Sequence, residues 1–396
     1  MAARRMTARG ARWLAAALWL AAGAAAAVET IDIAFLKKEA EKLPKLSNLD
    51  PPPADDGALG GMQGITDNNT TGKFLGHHYR LETVVLGEDG DAGGALRELH
   101  ARGVRQFIVD VAADELLALA DSGAGRESWF YNVGAGDDTL RTRQCRRNIL
   151  HITPSHSMRA DALAQYLIAR KWPRWFLVVG QRANDTGFAA AVRRAAKKFG
   201  GKIAADKKWE YGPDMRRTAA STVPVFTQDV DYDVLIVADV VGEFGEYLAY
   251  RTWKPRPVAG TQGLKPVTWH RTHEQWGAAQ IQSRFLRNHG RRMSEKDYGV
   301  WSAVRAIGEA VTRSRSTGHA QIADYIRGDA FELAGYKGQK MSFRKWNLQL
   351  RQPILLVSPT SVVSVSPQRQ FLHQRSVLDT MGYDRPESQC KLGETP

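Results

Sequence analysis

The sequence predicts an α/β fold of two doubly wound, Rossmann-like lobes joined by hinge strands. Three observations predict it. Strand-like and helix-like stretches alternate from residue 31 onward, and such a beat implies parallel pairing with helices on both sheet faces. The beat restarts after a polar joint at 141–148. Residues 175–179 and 232–238 are near-continuous apolar runs, the pattern of strands covered on both faces.

Taken in order, residues 1–27 read as a secretory signal peptide. Arg4, Arg5, Arg9 and Arg12 precede an apolar run at 13–22, and small residues follow up to Ala27. The run is short for a membrane span. An Ala-rich irregular start is the alternative. Residues 31–36 form the first strand. Residues 37–57 are charged and Pro-rich, with Pro51-Pro52-Pro53 at the centre, and read as a stiff excursion. A short helix at 58–69, a strand at 79–86, a helix at 92–102 and a strand at 106–111 follow. A helix at 114–121 and a strand at 129–133 complete the first unit. The second has helix 161–171, strand 175–179 and a helix capped by Asn184 or Asp185 and ended by Gly200. Phe188, Ala191, Val192, Ala195, Ala196 and Phe199 fall on one stripe of that helix. Strands at 202–209 and 232–238, a helix at 242–253 and a short strand at 258–260 follow.

Helices at 276–289, 298–313 and 321–327 precede strand-like stretches at 340–343, 347–350, 354–357 and 362–365. Helices followed by a small β unit complete two existing sheets, so both lobes are discontinuous. The expected division is 28–148 plus about 268–335 for lobe 1, 149–267 plus about 336–366 for lobe 2, and 367–396 as a tail.

The composition is that of a globular chain, 43% apolar and 24% charged. Net charge is +13, and removal of residues 1–27, with four arginines and no acid, leaves +9. A basic exported chain can favour an anionic ligand or an acidic surface, against a plain reading of solvated Arg-rich faces. No Lys/Arg run with interleaved aromatics is present, which argues against nucleic acid. The two cysteines, Cys145 and Cys390, invite a disulfide in an oxidising compartment; two buried thiols are the alternative.

Asp89-Gly90-Asp91 begins like a calcium loop, but Gly93 and His100 fall where ligands belong. Thr71-Gly72-Lys73 lacks the first glycine of a phosphate loop, since Asp67 stands there. No Gly-x-Ser-x-Gly elbow occurs. His151, His156, His270 and His273 have no paired acidic cluster and read as structural or exposed. No metal or cofactor is expected, and no catalytic constellation is found, so the protein reads as a binder and not an enzyme.

Several segments resemble type I periplasmic binding proteins of the Leu/Ile/Val-binding, ABC-transporter group. These are Ile31-Asp32-Ile33-Ala34-Phe35, the strand leading to Asp185-Thr186-Gly187, Tyr298-Gly299-Val300-Trp301, and the stretch from Gly338 to Trp346. The likeness is strongest as an order of elements over nearly all of the chain after residue 27. It implies the periplasmic binding protein-like I fold, a small ligand between the lobes, an ABC permease as partner, a periplasmic location and a monomer. Narrower stretches resemble a subgroup found beside PQQ-dependent alcohol dehydrogenase systems: Phe130 to Ala135, Asp138 to Arg141, Cys145-Arg146, Pro154-Ser155, Asp161 to Leu163, Ala196 to Gly200 and the Cys390 tail. That resemblance implies transport tied to quinoprotein alcohol oxidation. The rival functions are a ligand-sensing receptor of the same fold and an accessory factor of a quinoprotein dehydrogenase.

Ligands of open α/β sheets sit beyond the carboxyl ends of strands. The candidate ligand-binding residues are therefore Asn132, Gly134, Ala135, Gly136, Asp137 and Asp138 after one strand, Thr153 and Ser155 at the crossover, and Asn184, Asp185, Asp239 and Gln262 in the second lobe. In the family, hydroxyls and backbone N–H groups hold the ligand carboxylate, while a Tyr and an acid stand in the second lobe. Here Asn132 and Gly136 replace the hydroxyls, Thr186 the Tyr and Gln262 the acid. An α-amino acid would lose charge-assisted bonds of about 1.5–3 kcal/mol each, so a different ligand is expected. Arg141, Arg143, Arg146 and Arg147 either draw in an anion or form a solvated joint.

Overall fold

The computed structural model describes residues 28–41, 53–210 and 215–392. The expected signal segment, most of the Pro-rich stretch and the last four residues lie outside the described residues.

The first unit runs β1 (Glu29–Lys38), α1 (Ala58–Leu75), β2 (His77–Leu86), α2 (Ala92–Ala101), β3 (Gln106–Asp110), α3 (Ala113–Asp121), the one-turn α4 (Gly123–Arg126), β4 (Trp129–Asn132) and β5 (Ile149–His151). Its five strands are parallel in the order β2-β1-β3-β4-β5. Side chains alternate along β1. Ile31, Ile33 and Phe35 face one layer, and Ala34 and Leu36 join Leu96, Leu99, Leu116 and Leu119 of α2 and α3 in the other.

The second unit runs α5 (His156–Ala169), β6 (Arg174–Val179), α6 (Ala183–Phe199), β7 (Lys202–Lys208), α7 (Met215–Thr227), β8 (Val234–Ala238), β9 (Val258–Gly260) and β10 (Lys265–Val267). Strands β7-β6-β8-β9 form a parallel sheet. Trp175, Leu177 and Val179 pack towards α5 and α6, while Phe176 and Val178 pack towards Ala219 and Val223 of α7.

The chain then returns. Helices α8 (Ala278–His289), α9 (Glu295–Ser314) and α10 (His319–Arg327), and strands β11 (Leu333–Ala334), β12 (Lys340–Phe343) and β13 (Leu350–Arg351), rejoin the first unit. Val300, Val304, Ile307 and Val311 of α9 lie in one core with Ile33, Ile108 and Tyr131. Finally β14 (Ile354–Ser358) and β15 (Ser361–Ser366) pair antiparallel with β10 in the order β10-β14-β15, and Ile354 and Leu356 enter the second core. The fold is thus the predicted pair of Rossmann-like lobes, crossed three times by the chain near residues 152–154, 267–269 and 351–353.

The structure corrects several local expectations. The stretch 242–253 is not a helix; only Gly245–Tyr247 makes a 3-10 turn. Gly242 and Tyr250 adopt positive φ of 83° and 63°, which interrupts helical winding. Strand β5 and helix α7 were not anticipated. The first is three residues long, and Pro224 inside the second reads as a breaker. Neither Asn184 nor Asp185 caps α6. Arg182 holds that position, and its N–H donates to Asp185 three residues on. Residues 336–351 do not join lobe 2: Met341, Phe343, Leu348 and Leu350 belong to the first core. Short strands that pair with each other carry no signal of which sheet they cover. Cys145 and Cys390 are joined as a disulfide, with Cα atoms 5.8 Å apart.

Candidate functional site

The carboxyl ends of the two parallel sheets face each other across a cleft of about 1050 Å³. Lobe 1 contributes the ends of β1 and β3, the start of α3 and the loop after β4. Lobe 2 contributes the start of α6, the ends of β8 and β9, and β10. Gly134, Ala135, Gly136, Asp137, Thr153 and Asn184, all expected from the sequence, line it.

The other six expected residues are not among those lining the cleft, and the polar groups of five of them, all but Gln262, are engaged elsewhere. Asn132 is fully buried: its Oδ1 accepts from the N–H groups of Gly134 and Ala135, and its Nδ2 donates to Ala135 O. It shapes the loop instead of presenting an amide to a ligand. Asp138 accepts from Ser157 N and Oγ at the start of α5. Ser155 caps α5 by accepting from Met158 N. Asp185 accepts from Arg182 N and Val240 N. Asp239 accepts four backbone N–H groups, from Gly242, Glu243, Phe244 and Gly245, which is what bends that segment into its turn. Gln262 packs its stem over Gly245, where a Cβ would come within 2.4 Å.

The arginine cluster divides. Arg141 is buried and donates to Ala135 O, Asp137 O, Thr153 O and Gln349 Oε1, so it fastens the β4 loop to two crossing segments. Arg146 pairs with Asp121 at 2.7 Å on lobe 1. Neither is an anion trap.

Sequence reasoning passed over several groups lining the cleft. Lys38 pairs with Glu115 at 2.9 Å along one wall. Asp110 pairs with Lys296 of the adjoining smaller hollow at 2.6 Å, and Arg159 pairs with Glu295 at 2.9 Å across the lobes. Arg159 also donates to Pro266 O, and Glu295 accepts from Thr268 N and Oγ1. Burial pushes the Glu295 carboxyl up, but Arg159 and Thr268 outweigh it and hold the group below the ordinary glutamate range. A smaller hollow of about 270 Å³ adjoins these residues at the crossovers. The strand-end rule pointed at β1 and β3 as much as at β4 and would have found Lys38 and Asp110. Arg159, one turn into α5, carries no such signal.

His156 opens α5 and lines the cleft, 7% exposed. Its Nε2 has no hydrogen-bond partner, and its ring meets Phe188 edge-on at 6.1 Å. Burial holds it below the ordinary histidine range, against the pull of Asp138 and Asp137. His151 is deeper still and is hydrogen-bonded to Asn132 and to the Leu140 backbone; burial, then Arg141, hold it well below that range.

Among the described residues, one trio of acids, Asp185, Asp239 and Glu243, lies close enough to share a cation. Their oxygens already accept from backbone N–H groups and from Arg182, which pairs with Glu243 at 2.7 Å, so donors fill the place a metal would take. Among the described residues no helix is long and apolar enough to cross a membrane.

Two Rossmann-like lobes around one cleft define the periplasmic binding protein-like I architecture. Solved structures with this fold include a branched chain amino acid ABC transporter periplasmic ligand-binding protein from Burkholderia xenovorans, at 14% identity and TM-score 0.70, with 92% of this chain and 100% of that one covered. A periplasmic binding protein from Burkholderia mallei matches at 15% identity and TM-score 0.68, over 92% and 99%. A leucine-, isoleucine-, valine-, threonine- and alanine-binding protein from Brucella ovis, in a closed conformation, matches at 14% and 0.63, over 91% and 96%. No protein-family model and no curated protein matches the chain.

Proposed function

We propose that the protein is the periplasmic solute-binding component of an ABC transporter, working as a monomer that captures one small ligand between its lobes and presents it to a permease. The observation that carries this is the cleft itself, walled by strand ends of both lobes. Closure around a guest removes it from water on two sides, and the closed form is what a partner can read. The fold is that of ABC transporter ligand-binding proteins from bacteria, which supports the carrier over an enzyme.

The ligand differs from an α-amino acid. The hydroxyl positions are Asn132 and Gly136, and Asn132 is consumed by its own loop. The contact set in this reading is Gly134, Ala135, Gly136, Asp137, Thr153 and Asn184, with His156, Phe188 and Arg159 added. The subgroup resemblance adds a setting, PQQ-dependent alcohol oxidation, with alcohol-derived acids, PQQ and metal complexes as candidate guests.

A thermal-shift panel of short carboxylic acids, PQQ, a lanthanide salt and leucine tests both parts. A guest at a hundred times its Kd should stabilise the native state by about 2.7 kcal/mol. A strong shift with leucine alone overturns the account of the pocket. No shift with PQQ or the acids removes the link to alcohol oxidation.

A further inference from the structure

We propose that the carboxyl-terminal segment 367–392 is a strap between the lobes, and that its covalent attachment at Cys145 limits how far the cleft opens. The inference rests on the reading of the cleft as the binding site.

One end of the strap is built into lobe 2. Leu378 and Met381 lie in the core with Met158, Leu163 and Val192. Gly382 N donates to the buried Asp161, and Gly382 O accepts from Arg194 and Lys198 of α6. Gln368 N donates to Gln165 of α5, and Gln165 donates to Thr380. Arg194 also stacks on the Tyr383 ring at 4.2 Å and pairs with Glu387 at 2.8 Å.

The other end is held by lobe 1. Cys390 is bonded to Cys145, whose loop is fixed to the first unit by the Arg146–Asp121 pair and by Asn148, which donates to Ala120 O and Gly125 O. Ser388 donates to Arg141 O, and Leu392 packs against the first core. The β12–β13 hairpin grips the middle: Arg344 pairs with Asp379 at 2.8 Å, both nearly fully buried, and donates to Leu378 O and Met381 O. Arg351 pairs with the same carboxylate at 2.8 Å.

The strap has little slack. Only Ser388 and Gln389 lie between Glu387, paired to lobe 2, and Cys390, bonded to lobe 1, and the three residue steps from one to the other span at most about 10 Å when extended. The three crossing segments alone leave a hinge free to swing. A fourth link beside them, running through Cys390 to Cys145, adds a covalent bound to that swing. The extent of opening then sets how readily a guest enters and leaves.

Small-angle scattering of the full chain, without any ligand, tests this. The C145S/C390S double variant and wild type reduced with dithiothreitol should shift to a larger radius of gyration and maximum dimension than oxidised wild type. A second variant keeps the bond and lengthens the strap: an insertion of roughly four Gly/Ser residues between Ser388 and Gln389 adds up to about 14 Å of reach. It should expand in the same direction with its disulfide intact. Circular dichroism identifies any variant that fails to fold, and the insertion variant then decides. Scattering curves of folded variants that superimpose on oxidised wild type overturn the strap. The thermal-shift panel reads the carrier assignment independently, so the two can fail separately.

Discussion

At the residue scale, the polar groups that looked most like ligand contacts turn out to hold the walls in place. Asp138 is the clearest case. Its carboxylate meets the first turn of α5, so Asp138→Ala should cost about 1 kcal/mol of stability, as loss of a helix cap does, read as a lower urea midpoint. Arg141→Met should cost more, on the order of 3 kcal/mol. It removes four hydrogen bonds donated within a buried site, to Ala135 O, Asp137 O, Thr153 O and Gln349 Oε1. His151 gives a pH signature. Its folded pKa lies well below that of the unfolded chain, so its contribution is complete above the ordinary histidine range. As pH falls through that range the unfolded state takes up the proton first, and stability drops by up to about 1.4 kcal/mol per pH unit. Imidazole NMR shifts should show His151 still neutral where exposed histidines have titrated. The sequence placed Asp137, Thr153 and Asn184 at the cleft because strand ends are legible from periodicity. It could not show that Asp239 spends both oxygens on four N–H groups, because those donors are supplied by a turn that reads as a helix.

At the element scale, α1 and α9 show why a poor helix former can be the right one. Helix α1 carries Gly60, Gly61, Gly64 and Gly72, all buried. A Cβ on Gly60 would lie 2.1 Å from Asp297 O, and one on Gly64 2.8 Å from Val304. On the facing helix, Gly308 leaves room for Asn68, which donates to Val304 O. The two backbones therefore approach closely, and Asp297 accepts from Gly57 N and Gly60 N across the contact. Gly64→Val should overpack this contact and cost about 1–3 kcal/mol, visible as a lower melting temperature. Elements with long apolar stripes, such as α6 and α9, were legible almost to their ends. Helix α1 was read six residues short, because glycines and Asn/Thr pairs resemble a loop when the partner helix is unseen. The reverse error at 242–253 has the same source, since apparent helical spacing there is overruled by Gly242 and by the Asp239 carboxylate.

At the scale of the whole molecule, two sheets and an alternating beat were enough to predict the lobes, but not which lobe owns residues 336–351. That ownership depends on where Met341, Phe343 and Leu350 find a complementary surface, and pattern alone offers both sheets. Lobe 1 is thus assembled from two distant parts of the chain, with all of β6 to β10 between them. Residues 28–150 expressed alone would lack α9, whose Val300, Val304, Ile307 and Val311 cover one face of the sheet. Such a fragment should show no cooperative thermal transition by circular dichroism, for want of that layer. Synthesis runs from the amino terminus, so the first sheet must wait, half-clothed, while nearly all of its neighbour is made. An interleaved chain of this kind has to be shielded from aggregation until its final hundred residues arrive.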